Sequence, residues 1–222
     1  MQHPLLLALF VLGICLLLIF YFVSSAFYKR KHETKYHFYQ MFPYEFNYPG
    51  FFKFNVYGNL VLFLAFFSVI AFYEINPLKS IYSIIGIVLS IVLTMLFIIL
   101  VLFPIRYLRT HMIVSAVAMT LSAALPMFNF FEAFDQYKLA IEQPNKVLCV
   151  ISMVVSGLLA LTMLLLILNP KLTFKIYYDK AVDEKGNEIV KRPKVIYMAL
   201  NEWWAIVIFF LSPLALIFLL IL

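Results

Sequence analysis

Charge is what this sequence has least of. Only 13% of its 222 residues are Asp, Glu, Lys or Arg, against about 25% in soluble domains, while 65% are hydrophobic against about 45–50%. A water-soluble fold of this length cannot hide so much apolar side chain, so that class is excluded. Cysteine is nearly as scarce. Cys15 and Cys149 each sit inside an apolar run with no partner at a useful spacing. A disulfide framework and a thiolate metal site are therefore not expected, and both cysteines read as small packing residues.

The four histidines, His3, His32, His37 and His111, are too few for a histidine-box di-iron centre. His32 and His37 are five positions apart, which turns them about 140° around a helix and off any shared zinc-binding face. G-x-S-x-G, a Walker loop and paired intramembrane aspartates are all missing from the sequence. No catalytic set, no metal and no cofactor is expected. The net charge of +6 does not point to nucleic acid, because the basic residues fall in short stretches between long uncharged runs.

What the sequence does have is six apolar stretches. A span needs roughly 20 such residues to cross about 30 Å of hydrocarbon. Residues 4–24, 54–73, 81–103, 107–130, 147–168 and 198–222 qualify, and none carries Lys, Arg, Asp or Glu near its centre. Barrel strands would alternate in polarity, and these runs do not. The expected fold is an all-α integral membrane protein, a single domain over residues 1–222 built as a six-transmembrane-helix bundle. The first stretch reads as a retained anchor: it exceeds the 7–15 residues of a signal h-region, lacks a basic segment before it, and is followed at once by Lys29-Arg30-Lys31.

Orientation follows from the loops. The first, third and fifth connections hold 14 of the 17 Lys and Arg residues, leaving three for the other side. The positive-inside rule then places those three loops in the cytoplasm and both termini outside. Lysine, phenylalanine, isoleucine and tyrosine are abundant, which points to an AT-rich genome, and a bacterial plasma membrane is the expected location.

Two cytoplasmic loops have texture. Residues 25–53 combine Lys29, Arg30, Lys31 and Lys35 with a run of Phe and Tyr from Phe38 to Phe52, as expected of an interfacial segment touching lipid headgroups or a partner. Residues 169–197 alternate in polarity, predicting a small β-hairpin with strands Leu172–Tyr178 and Ile189–Ile196 about a turn at Asp183–Asn187. Trp203 and Trp204 are expected at the headgroup interface of the last span. The fourth loop, Phe131–Lys146, reads as an ordinary external connection.

Within the spans, small residues at four-residue spacing mark where helices approach. Three such stripes occur: Gly86, Ser90 and Thr94; Ala116, Thr120 and Ala124; Ser152, Ser156 and Ala160. They predict a packed centre of the third, fourth and fifth spans, with the first two outside. Pro126 and Pro213 interrupt backbone hydrogen bonding inside spans and are candidate kinks beside a cavity. The ionisable residues nearest the membrane, Glu74, His111, Glu132, Asp135 and Glu202, all fall near span ends, where water or headgroups would solvate them. That placement argues against a proton-coupled carrier.

The leading functional expectation is a non-catalytic accessory or scaffold subunit of a larger transport or secretion assembly, with membrane lipid and other membrane proteins as partners. An alternative is a small-molecule or lipid transporter with an uncharged site near Pro126 or Pro213. A further alternative is an interfacial enzyme using His37, Glu45 or Glu202.

Overall fold

A computed structural model describes residues 4–47, 55–78, 80–102, 108–172, 179–182 and 188–220. Among the described residues six α-helices form: α1 Pro4–His32, α2 Val56–Ile75, α3 Ile81–Leu102, α4 Leu108–Leu139, α5 Gln143–Ile167 and α6 Tyr197–Leu220. All six are long and apolar enough to cross a membrane, so the chain is a multi-pass membrane protein. In hydrocarbon every backbone N–H and C=O must be satisfied within the segment, and a helix does this whatever its side chains.

The ends follow local chemistry. Four basic or imidazole side chains, Lys29 to His32, fill the last turn of α1 and oppose its negative dipole end. Glu33 then turns to a φ of 57° and closes the helix. A proline at the start of α5 fits where its missing N–H costs nothing. Helix α4 continues to Leu139, nine residues past the expected Phe130, so the fourth loop shrinks to residues 140–142. The extension has a polar reason: Glu132 and Gln136 hydrogen-bond one another at 3.1 Å one turn apart.

The centre of the bundle is α6, which contradicts the expected core of the third to fifth spans. It packs against every other helix, and 72% of its most apolar 18-residue window is buried, against 22% in both α1 and α5. Helix α5 is peripheral, and α2 is half buried rather than external. The stripes on α3 and α5 do face inward: Gly86, Ser90, Thr94, Ser152, Ser156 and Ala160 are buried. The α4 stripe does not. Ala116 and Thr120 are exposed and Ala124 is half-buried, while Ser115, Ala118, Ser122, Leu125 and Asn129 are buried in their place. One residue is 100° of helix, and α4 has small residues on both faces, so spacing alone could not choose between them.

Between α5 and α6 the chain makes a short antiparallel ladder, β1 Asp179–Val182 with β2 Glu188–Lys191. This is not the hairpin expected. Leu172 lies in a turn region instead of a strand, and pairing ends at Lys191 with Ile196 leading into α6. The remainder of the expected first strand, residues 173–178, and the turn at 183–187 lie outside the described residues.

Candidate functional site: a capped carboxylate–imidazole cluster

The chain after α1 folds back over the end of the bundle. Tyr36, Phe42 and the whole 3-10 turn Pro43–Asn47 are buried, so Phe42, Tyr44 and Phe46 of the aromatics expected at the headgroups form a cap instead, while Phe38 and Tyr39 stay exposed. The rings supply the reason. Tyr36 stacks on Phe46 with centroids 3.9 Å apart, and Phe46 meets Phe20 of α1 and Trp203 of α6 edge-on at 5.5 and 5.8 Å. The rest of that aromatic run, residues 48–52, lies outside the described residues.

Polar bonds pin the cap from three sides. Trp203 Nε1–H donates to the Tyr36 hydroxyl at 2.9 Å and to the Met41 carbonyl at 3.1 Å. Tyr36 in turn has the Phe42 carbonyl at 2.9 Å as its acceptor. Glu45 accepts from the Phe42 amide and from both terminal nitrogens of Arg192, at 2.8 and 3.2 Å, a fork-on-carboxylate geometry. Asn47 and Asn59 exchange amide bonds, and Asn47 also donates to the Val101 carbonyl at the end of α3. The Ile196 amide donates to the Tyr39 carbonyl, joining the cap to the segment entering α6.

Burial, and secondarily the Glu45 carboxylate, push the Tyr36 phenol well above its ordinary pKa, so it stays protonated and keeps donating. Tyr36→Phe removes its bonds to the Met41 and Phe42 carbonyls and the one it accepts from Trp203. The expected loss is about 1–2 kcal/mol, read as a lower melting temperature in detergent without a change in helix content.

Beneath this cap lies the cluster. His111 on α4 is 4% exposed and Glu202 on α6 is fully buried. His111 Nε2–H donates to Glu202 Oε1 at 3.0 Å, and Ser115 Oγ–H, one turn further along α4, donates to the same oxygen at 2.8 Å. Phe42 and Tyr44 of the cap close over the imidazole edge-on at 5.9 and 5.6 Å. Within the cluster, Glu202 Oε2 and His111 Nδ1 are buried and have no hydrogen-bond partner among the described residues. The expectation that these side chains are solvated at the span ends is therefore overturned, because the folded-back loop takes their water away.

The geometry limits the chemistry. In a serine–histidine–acid hydrolase the serine bonds to the imidazole, which bonds to the acid. Here serine and histidine converge on one carboxylate oxygen, so the imidazole is not placed to take the serine proton. The three residues considered for an interfacial enzyme do not meet: Glu45 is held by Arg192, His37 lies beside Tyr39, and Glu202 is in the cluster. Among the described residues no three His, Cys, Asp or Glu side chains gather as a metal site would need. What the cluster can do is exchange a proton between a carboxylate and an imidazole, each with one free position.

A second polar layer sits at the opposite face. Asn129 of α4 donates to the Tyr73 hydroxyl at 3.0 Å and to the Ser212 carbonyl at 2.9 Å. Glu132, 2% exposed, accepts from Ser80 and from Gln136.

Of the residues expected to touch headgroups or a partner, Lys29, Arg30, Lys31 and Lys35 are exposed and Trp204 is 37% exposed. Trp203 is 6% exposed and tied to the cap, which corrects its expected place at the interface. Helix runs unbroken through Pro126 and Pro213, both buried. An apolar groove of about 270 Å³ opens just after Pro126, between α4 and α5, lined by Met127, Phe130, Gly157, Ala160 and Leu164.

Sequence reasoning saw His111 and Glu202 but not their meeting, and it passed over Ser115 and Asn129. The usable signal was a heptad of polar residues on α4, Ser115, Ser122, Asn129 and Gln136, which no lipid-facing stripe would carry. Comparison with protein-family models, with curated proteins and with solved structures finds no match to this chain.

Proposed function

We propose that the protein is a transport-type membrane component whose working centre is the His111–Glu202 pair, holding an exchangeable proton inside the bilayer. The observation that carries this is the burial of a carboxylate and an imidazole together, each with one unpartnered atom. An ionisable pair in hydrocarbon costs several kcal/mol, and membrane proteins keep such groups where a proton or ion is bound or moved. The charge count supports a cytoplasmic position for the capped face, with both termini outside. The β1–β2 ladder and the basic residues Lys29 to Lys35 then lie on the cytoplasmic side as well.

Infrared difference spectra of the purified protein in vesicles, between acidic and alkaline pH, test the centre directly. A carboxyl band that titrates in the unaltered protein is expected to vanish in Glu202→Gln and to persist in Glu74→Gln. Superimposable spectra for the unaltered protein and Glu202→Gln would end this reading.

A second reading, an accessory subunit of a larger assembly, is favoured by the groove between α4 and α5, which is wide enough for side chains of a neighbouring helix. A Cβ added at Gly157 would meet nothing closer than Phe130 at 3.9 Å, so Gly157→Leu fills the groove without disturbing the fold. A copurifying membrane protein lost in Gly157→Leu supports the reading. A monodisperse monomer in mild detergent, the same for both proteins, removes it.

A further inference from the structure

We infer that the buried face of α4 is a proton path across the membrane, joining Glu202 at the capped face to Glu132 at the other. This rests on the proposed proton centre and extends it from a binding site to a route. The face carries His111, Ser115, Ser122, Asn129 and Glu132, all buried, at steps of three, four or seven residues. That is the spacing of one helix face. From His111 to Glu132 is 21 residues, about 31 Å at 1.5 Å each, the thickness of the hydrocarbon layer.

The middle of the route is the informative part. Ser122 is fully buried and its hydroxyl has no partner among the described residues. Pro126, four residues on, has no N–H to give the Ser122 carbonyl, so the same turn holds a donor-acceptor and a spare acceptor in the bilayer centre. A lipid-facing kink would not need a serine there; Ser212 and Thr120 bond back to Ile208 and Ala116 of their own helices, whereas the Ser122 hydroxyl, like those of Thr94, Ser152 and Ser156 in the packing stripes, does not. At the far end Asn129, three residues before Glu132 on the same helix, donates to the Tyr73 hydroxyl.

The steps from Ser115 to Ser122 and from Ser122 to Asn129 are each about 10 Å along the axis. The route requires two or three hydrogen-bonded waters across each step, past the buried Ala118 and Leu125. A proton taken up at Glu202 Oε2 from the cytoplasmic side displaces one through the chain, and Glu132 releases one outside. No other species is consumed. The titratable or charged groups around Glu202 are His111 on α4, Tyr36, Tyr44 and Glu45 on the cap, Arg192 before α6, and Tyr21 on α1 beyond Trp203.

The test is proton flux in liposomes containing the purified protein and an internal pH-sensitive dye, driven by a potassium diffusion potential. The unaltered protein is expected to conduct, Glu132→Gln to lose about a hundredfold, the cost of removing an acid-base group, and Ser122→Ala about tenfold. Thr120→Val, on the outer side of the same helix, is expected to conduct normally. Each variant is checked for folding by its melting temperature. If the Glu202 carboxyl titrates in the infrared but the unaltered protein carries no flux, the path is overturned and the proton centre stands. If flux survives Glu132→Gln and Ser122→Ala undiminished, the path runs elsewhere and this inference fails. If the carboxyl does not titrate, both fall together.

Discussion

Glu202→Ala is expected to destabilise the folded protein by about 3–5 kcal/mol, the range for breaking a buried pair by deleting one partner. Two donors would be stranded, His111 Nε2–H and Ser115 Oγ–H, which both point at Glu202 Oε1. Neither can turn to water, since Phe42 and Tyr44 cover the imidazole and Ser115 is fully buried. Glu202→Gln keeps an oxygen of the same reach, and it is expected to cost less than half as much. Reversible unfolding in bicelles measures both. A double-mutant cycle with His111→Ala is expected to return a coupling above about 1 kcal/mol. Additivity within about 0.5 kcal/mol would mean the contact contributes nothing as a pair.

Gly58→Leu is expected to separate α1 from α2 and abolish a stable fold. A Cβ at Gly58 would lie 2.3 Å from Ser24 Oγ and 2.4 and 2.6 Å from the two amide atoms of Asn55. Those side chains cannot both swing aside, because Asn55 donates to Ser24 at 2.7 Å and Ser24 is fully buried. Overpacking a close helix contact costs about 1–3 kcal/mol even when neighbours can adjust, and here a buried hydrogen bond goes as well. Gly86→Ala is the graded comparison. Its Cβ would meet Tyr73 at 3.0 Å, a ring with some freedom, so a smaller loss is expected. Equal melting temperatures for Gly58→Leu and the unaltered protein would refute the close approach.

The spans were legible because the cost of a charge in hydrocarbon writes itself into composition. Starts and ends at Pro4, Ile81, Leu102 and Tyr197 lie within a residue of those anticipated. Which side of each helix faces inward was not legible. In water an apolar stripe marks the core, but in lipid both faces of α4 are apolar and the stripe loses its meaning. The polar residues mark it instead: Asn59, Ser90, Ser115, Ser122, Asn129, Ser152, Asn201 and Ser212 are all buried. The site was hidden for a different reason. His111 and Glu202 are 91 positions apart, and their burial depends on a loop folding back, which no local pattern announces.

The helix that every other helix touches is the last of the six to be made. During synthesis the first five spans enter the bilayer with the place of α6 still open, and Ser115 and Asn129 face that opening without Glu202 or the Ser212 carbonyl to receive them. Biogenesis therefore passes through a five-helix intermediate with unsatisfied polar groups exposed in the membrane. Such a species is expected to engage insertion chaperones and quality-control proteases. Substitutions that slow the docking of α6 should act on cellular abundance before they act on the stability of the finished protein.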